Sequence, residues 1–241
     1  MNSLGLLELQ AAAWGVRLDT GRSRSLMEYA QIIASYDRAN VIGTRDLDGI
    51  LLSHALDSLS CFLCEPLYRA ERLVDIGSGG GLPGIPISIV RPQLQTTLIE
   101  SIGKKAAFLR YAADRLGLNG LTVVNRRAED LGRTGEHRGS HDVATCRAVA
   151  RLRVVAEYCV PLLKVGGRVI SMKGALESEE LEEGRAAAVE LGGKIVEIKH
   201  VPMLEEVGQK NRNLVVIQKT RETPMRYPRR ASVIARKPPG G

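Results

Sequence analysis

The chain has 241 residues, of which 44% are hydrophobic and 4% aromatic, and it carries a formal net charge of +7. That length fits one large domain or one domain with an extension. No run of about 18 apolar residues offers a membrane span, and so few aromatic rings argue against a module built on base-stacking platforms. The opening MNSLGLLELQAAAWG has neither a basic leader nor a signal-type core. It is read as an amphipathic helix, so a cytoplasmic protein is expected.

The first 70 residues read as a helical subdomain. Leu4–Trp14 is one segment. Ser25–Arg38 is a second, with Leu26, Tyr29, Ile33 and Tyr36 at helical spacing. Asp46–Cys64 is a third, with Ile50, Leu51, Ala55, Leu59 and Phe62 on its apolar side, and Pro66 is expected to close it. Cys61 and Cys64 fall on one face of that helix, and no second pair follows to complete a four-ligand zinc site. They are expected to be buried apolar cysteines, and no metal is expected. His54 and Asp57 share a helix face, which suits an anchoring hydrogen bond to the next domain or a substrate-side role.

From Arg72 the period changes. Short apolar runs alternate with helical patterns, the mark of βαβ units. Strands are predicted at Arg72–Ile76, Gln95–Ile99, Leu121–Asn125, Asp142–Cys146, Gly167–Met172, Lys194–His200 and Asn213–Lys219. Helices are predicted at Ile85–Val90, Ile102–Leu116, Leu152–Leu163 and Glu177–Leu191, with Ser101 as the cap of the second. Only HVPMLEEVGQKNR links the last two strands, so they should run antiparallel. The expected fold is α/β, Rossmann-like: a seven-stranded mixed sheet with an antiparallel last strand forming an edge hairpin. Residues 1–70 form the helical part, 71–219 the sheet domain and 220–241 a tail. From Lys219 to Gly241 there are seven Lys or Arg and one Glu, net +6, which leaves +1 for the rest. This tail reads either as a solvated, partly disordered extension or as a phosphate-contacting arm.

The segment DIGSGGGLPG, Asp75–Gly84, sits where the first strand meets the first helix of the sheet domain. Such a turn opens a nucleotide-type cofactor pocket, and its glycines fit two spacings, one of them G-x-G-x-x-G. Asp75 decides between cofactors. Beside a pyrophosphate a carboxylate is repulsive, whereas it can face the ammonium group of S-adenosylmethionine. The seven-strand count with an antiparallel end favours the same donor over a nicotinamide. Glu100, ending the second strand, is placed for ribose hydroxyls in either case.

The run DIGSGGGLPGIPISIVRP resembles the bacterial small-subunit ribosomal RNA guanine-N7 methyltransferase family, also called the glucose-inhibited division protein B family. HALDSL at His54–Leu59, ESIGKKAAFL at Glu100–Leu109, RRAEDL at Arg126–Leu131, CRAVA at Cys146–Ala150, MKG at Met172–Gly174 and YPRR at Tyr227–Arg230 support it in order. The resemblance implies a class I S-adenosylmethionine-dependent methyltransferase. Its implied target is N7 of guanine 527 in 16S rRNA, within the 30S subunit or an assembly intermediate, and a monomer is expected. Cofactor contacts are then expected from Asp75, Gly77, Gly79, Gly81, Leu82, Glu100, Ser101, Ala128, Glu129 and Arg147. Arg147 is the expected catalytic residue, holding guanine O6, a phosphate or the cofactor carboxylate; the alternative is a salt bridge closing the strand end. Lys104, Lys105, Lys173, Arg229 and Arg230 are the expected RNA contacts. The Asp-Pro-Pro-Tyr-like signature of exocyclic amine methylation is absent at Asp142–Arg147, which reads DVATCR. The chain departs from the family pattern at Asn40–Gly43. In the tail, Ser232, Ile234, Arg236 and Pro239 stand where the family has Gly, Pro, Lys and Leu.

Overall fold

The structure, a computed structural model, describes residues 2–208 and 211–240. Two helices open the chain, α1 (Ser3–Ala13) and α2 (Thr20–Ser35). Each starts on a side-chain cap. Asn2 accepts from the Gly5 amide at 2.9 Å, and Asp19 from the Arg22 amide at 2.8 Å. The Asp19 cap starts α2 five residues before the expected Ser25. The polar stretch TGRSRS hid that start from the apolar periodicity.

The helix expected over 46–64 is continuous but not uniform. α3 (Leu47–Ile50) passes into a π-helical turn (Leu51–Ala55), then α4 (Leu56–Leu59) and a 3-10 turn (Ser60–Leu63). Pro66 opens a further short helix, α5 (Pro66–Arg69), rather than only ending the previous one. Cys61 and Cys64 are buried free thiols.

Seven strands follow: β1 (Arg72–Ile76), β2 (Gln95–Ile99), β3 (Leu121–Val124), β4 (His141–Arg147), β5 (Leu163–Lys173), β6 (Gly193–His200) and β7 (Asn213–Lys219). They pair in the order β3-β2-β1-β4-β5-β7-β6. β1 to β5 are mutually parallel, and β7 runs antiparallel to both β5 and β6. The expected antiparallel last strand is present, and β6 and β7 form the expected hairpin at the sheet edge. β6 takes the edge and β7 returns between it and β5. The apolar run Leu214–Ile217 is buried throughout, while β6 is largely exposed. A strand covered on both faces belongs inside the sheet.

The connecting helices are α6 (Gly84–Val90), α7 (Gly103–Arg115), α8 (Ala128–Leu131), α9 (Leu152–Cys159) and α10 (Ser178–Glu190), with α11 (Ala231–Arg236) in the tail. Side chains of β1 alternate between two cores. Leu73 joins α1, α2, α6 and α7 on one face; Val74 joins α8, α9 and α10 on the other. The helical segment thus shares one continuous core with the sheet. No helix among the described residues is long and apolar enough to cross a membrane.

The tail is docked, unlike the solvated, partly disordered extension that is one of its two expected readings. Arg138 donates to the carbonyls of Tyr227 at 2.6 Å and Thr223 at 2.7 Å, and Arg133 to that of Pro228 at 2.8 Å. Ile234 is buried in α11. With Ser232 and Ile234 in place of Gly and Pro, nothing in that stretch breaks a helix. The loop expected over 200–212 includes Gln209 and Lys210, which lie outside the described residues.

Candidate active site at the carboxyl ends of the strands

β1 ends at Ile76, and the chain turns through Gly77, Gly79 and Gly81, all at positive φ. Backbone bonds pin the turn. The amides of Gly77 and Ser78 donate to the Ile99 carbonyl at 2.9 and 3.1 Å, and those of Gly81 and Leu82 to the Ser78 carbonyl at 2.7 and 3.0 Å. Gly81 is required twice over. Its φ is +91°, and a Cβ there would lie 2.4 Å from Ile85 Cδ1.

Asp75 does not face the pocket, contrary to the sequence expectation. It is wholly buried beneath the turn. Its carboxylate accepts from the Thr145 hydroxyl at 2.8 Å and from the Gly84 amide, at the start of α6, at 3.3 Å. Those donors lie directly below the turn, so the side chain folds inward and braces turn to helix. Burial pushes its carboxyl from the ordinary 3.8 up to about 6, against the opposing hydrogen bonds and the charge of Arg147. A folded value above the unfolded one means that its stabilisation is full below about pH 4 and is lost as pH rises through about 6. The melting temperature of the wild type relative to Asp75→Asn is therefore expected to fall between pH 4 and pH 6 and to stay level above about pH 7. Parallel curves across that window in thermal melts would refute the assignment.

Glu100 and Glu129 lie next along the sheet, after β2 and β3. Glu100 accepts from the Gly79 amide at 2.9 Å and from the Ile102 amide at 2.7 Å, joining the turn to the start of α7. Ser101 is exposed and does not cap α7; Ile102 occupies the cap position, with no side-chain bond. Glu100, not Ser101, supplies the side-chain acceptor at this helix start, to the Ile102 amide. Two lone-pair positions remain on the Glu100 carboxylate. Glu129 is buried, and its Oε1 has no hydrogen-bond partner among the described residues. Leu82 and Ala128 are buried beside these groups. A buried acceptor that meets only the Arg127 guanidinium, at 3.9 Å, and a carboxylate with capacity to spare fit a ligand bearing hydroxyl and amine donors, as an adenosine does.

On the other side of the turn, Arg147 ends β4. It donates to Asp57 Oδ2 at 3.3 Å, and its other terminal nitrogen lies 3.1 Å from His54 Nδ1. The salt bridge offered as its alternative role is present, and its partner comes from the helical segment. His54 lies in the π-helical turn and Asp57 three residues on, in α4. Arg212, which opens the approach to β7, bonds Asp57 Oδ1 at 3.2 Å. Together with Ser53 and Lys173 they line a cleft of about 350 Å3. Ala148, just beyond Arg147, has φ +54°. Val149 closes over Gly77, its Cγ2 at 2.9 Å from a Cβ built on that glycine.

The expected RNA-contacting residues divide. Lys104 and Arg230 are exposed, and Lys105 is half-buried. Lys173 borders the cleft, but its ammonium is held by Glu180 at 2.6 Å and the Ala150 carbonyl at 2.7 Å. Arg229 is turned inward. Its backbone amide, Nε and Nη2 all bond the fully buried Glu157, at 2.7, 3.0 and 2.7 Å. A buried carboxylate needs such compensation, so Arg229 is corrected from a phosphate contact to a tail anchor.

Sequence reasoning missed Thr145 and Arg212 as parts of the site, and Tyr29, whose hydroxyl donates to the Gly80 carbonyl in the turn. Tyr29 looked like one more apolar position of a helix, and Arg212 sat in what read as a loop. Thr145, three residues past Asp142, carried no signal beyond its place on a strand.

A sequence model of the rRNA small subunit methyltransferase G family matches residues 22–219. The curated relative from Rubrobacter xylanophilus, a ribosomal RNA small subunit methyltransferase G, is 54% identical over 95% of this chain and 88% of its own length. The relative of the same name from Roseiflexus sp. is 44% identical over 95% of this chain and 96% of its own. Among solved structures, a variant of MtNAS in complex with S-adenosylmethionine aligns with a TM-score of 0.55 at 18% identity, over 90% of this chain and 78% of that one. At that identity the likeness is one of fold. The chain, with its 3-2-1-4-5-7-6 sheet and a glycine turn flanked by Glu100 and Arg147, belongs to the rRNA small subunit methyltransferase G family and is an S-adenosylmethionine-dependent methyltransferase.

Proposed function

We propose that this protein methylates N7 of guanine 527 in 16S rRNA, acting in the cytoplasm as a monomer on the 30S subunit or an assembly intermediate. The observation that carries the reading is the row of groups along the strand ends: Glu129, Glu100, the glycine turn, Arg147 and then the cleft. Residues 71–219 hold the donor, 1–70 supply the far wall of the acceptor cleft, and 220–241 brace the opposite face. Bound S-adenosylmethionine supplies an electrophilic methyl group on its sulfonium. Glu100 and Glu129 would take its ribose hydroxyls and adenine amine, and the turn would let the main chain approach its methionine part.

Guanine N7 presents an in-plane lone pair and loses no proton when it is methylated. The cleft suits such an acceptor, because His54 and Asp57 are both engaged with Arg147 rather than free to act as bases. What remains for the protein is alignment of N7, methyl and leaving sulfur. The product carries a positive imidazolium ring. Asp57, set between Arg147 and Arg212, offsets part of the positive charge already in the cleft. Arg147 would then donate to O6, on the same edge of the base as N7. Lys104, Lys105 and Arg230 are candidate phosphate contacts outside the cleft.

The test is incubation of unmethylated 30S particles, and separately of naked 16S rRNA, with radiolabelled S-adenosylmethionine. Reduction and aniline cleavage then map any 7-methylguanine. Label at position 527 is expected. Label on another base, or on ribosomal protein, would overturn the substrate assignment while leaving the methyltransferase assignment intact.

A further inference from the structure

Four residues of the cofactor turn, Ser78–Gly81, include three consecutive glycines, Gly79, Gly80 and Gly81. Glycine loses more backbone freedom on ordering than any other residue. A stretch of this kind holds one shape only if something outside it imposes that shape. Backbone bonds and Glu100 restrain Gly79 and Gly81 from the sheet side. The restraint on Gly80 comes from elsewhere. The hydroxyl of Tyr29, in α2, donates a short hydrogen bond to the Gly80 carbonyl. Ile42 Cγ2 sits 2.7 Å from where a Gly80 Cβ would stand, and the Val41 carbonyl lies 3.5 Å from the same point.

Tyr29 is wholly buried, and no bulk water competes for its hydroxyl. Burial also pushes its phenol far above the ordinary range, so it remains a donor at any working pH. It touches no reacting atom. Among the described residues its one polar contact is with the middle of the turn on which the methyl donor rests.

We propose that Tyr29 is a positioning residue for the cofactor: from the helical segment, it fixes the Gly80 peptide and keeps the turn in its binding-competent shape. This rests on the glycine turn being the seat of S-adenosylmethionine. If the turn samples other shapes, apparent affinity falls in proportion to the competent fraction. The helical segment is then part of the donor site as well as of the acceptor cleft, and donor affinity depends on it.

Tyr29→Phe keeps the ring and removes the bond. The dissociation constant and KM for S-adenosylmethionine are expected to rise roughly three- to tenfold, the equivalent of one net hydrogen bond. Turnover at saturating donor should stay within about twofold of wild type, since nothing at the reacting atoms changes. In the free protein, hydrogen exchange at the amides of residues 79–82 should quicken, independently of any cofactor. A merely structural tyrosine would lower the melting temperature and leave exchange at the turn and donor KM unchanged; that result overturns the proposal. Should Tyr29→Phe fail to fold, Ile42→Ala loosens the same glycine without a buried hydroxyl, and unchanged exchange and affinity there would overturn it equally. Failure of wild-type protein to bind S-adenosylmethionine by calorimetry would instead remove the cofactor reading itself.

Discussion

Arg147→Ala is expected to slow methyl transfer to 30S particles by roughly 100-fold, the cost of removing one preorganised donor from a reacting centre. The side chain ends β4 at the mouth of the cleft and is held there by Asp57 and His54. A guanidinium fixed at two nitrogens pays little entropy to meet O6 of an entering guanine. Asp57 is 6% exposed, and after the substitution it keeps Arg212 as a partner, so the fold should survive with a modest loss of stability. Arg147→Lys should recover little, because an ammonium cannot span Asp57 and His54 while presenting a donor to the base. Single-turnover rates at saturating donor give the comparison, and donor affinity by calorimetry should stay within about threefold. A rate within about twofold of wild type would reduce Arg147 to the strand-closing salt bridge that it also makes.

The same residue shows how far the sequence could be read. Its place at the end of the fourth strand was legible, because the apolar run DVATC announces a buried parallel strand and ligands gather at such ends. Its partners were less so. Three residues apart, His54 and Asp57 share a helix face, but which residue of the sheet domain meets that face has no local mark in the sequence. Arg212 could be placed only once β7 was known to lie inside the sheet. The local pattern makes β6 and β7 antiparallel; which of them takes the edge depends on how deeply each is covered, a tertiary property. Asp75 failed differently. Its position before the turn was right, but a carboxylate next to glycines has two possible donor sets, and the nearer one lay beneath it in Thr145 and Gly84. The tail's charge was legible, yet charge does not distinguish an exposed arginine from one sealed against Glu157.

Gly81→Ala is expected to be the most damaging single-methyl change in the donor site. Two costs combine. An alanine held at φ +91° lies outside the conformations that L side chains favour, at about 1 to 2 kcal/mol. Its Cβ would also stand 2.4 Å from Ile85 Cδ1, 2.8 Å from Ile85 Cγ1 and 3.2 Å from Leu109 Cδ2. Ile85 and Leu109 are both fully buried, so neither can swing into solvent. Overpacking of a close-packed core adds roughly 1 to 3 kcal/mol. The turn can escape only by shifting, and a shift carries the Gly79 amide away from Glu100. A combined cost of about 3 kcal/mol corresponds to donor affinity lower by about 100-fold, shared with a fall in melting temperature. Gly79→Ala is the control. It also has positive φ, +55°, but the nearest atom to its Cβ is the Gly77 carbonyl oxygen at 3.8 Å. It bears only the backbone cost, so its loss of affinity should be about 5- to 30-fold. Calorimetric titration of both variants with S-adenosylmethionine separates the causes. Equal losses would show that backbone conformation alone governs the turn; a much larger loss for Gly81→Ala ties donor binding to the packing of α6 and α7 beneath it.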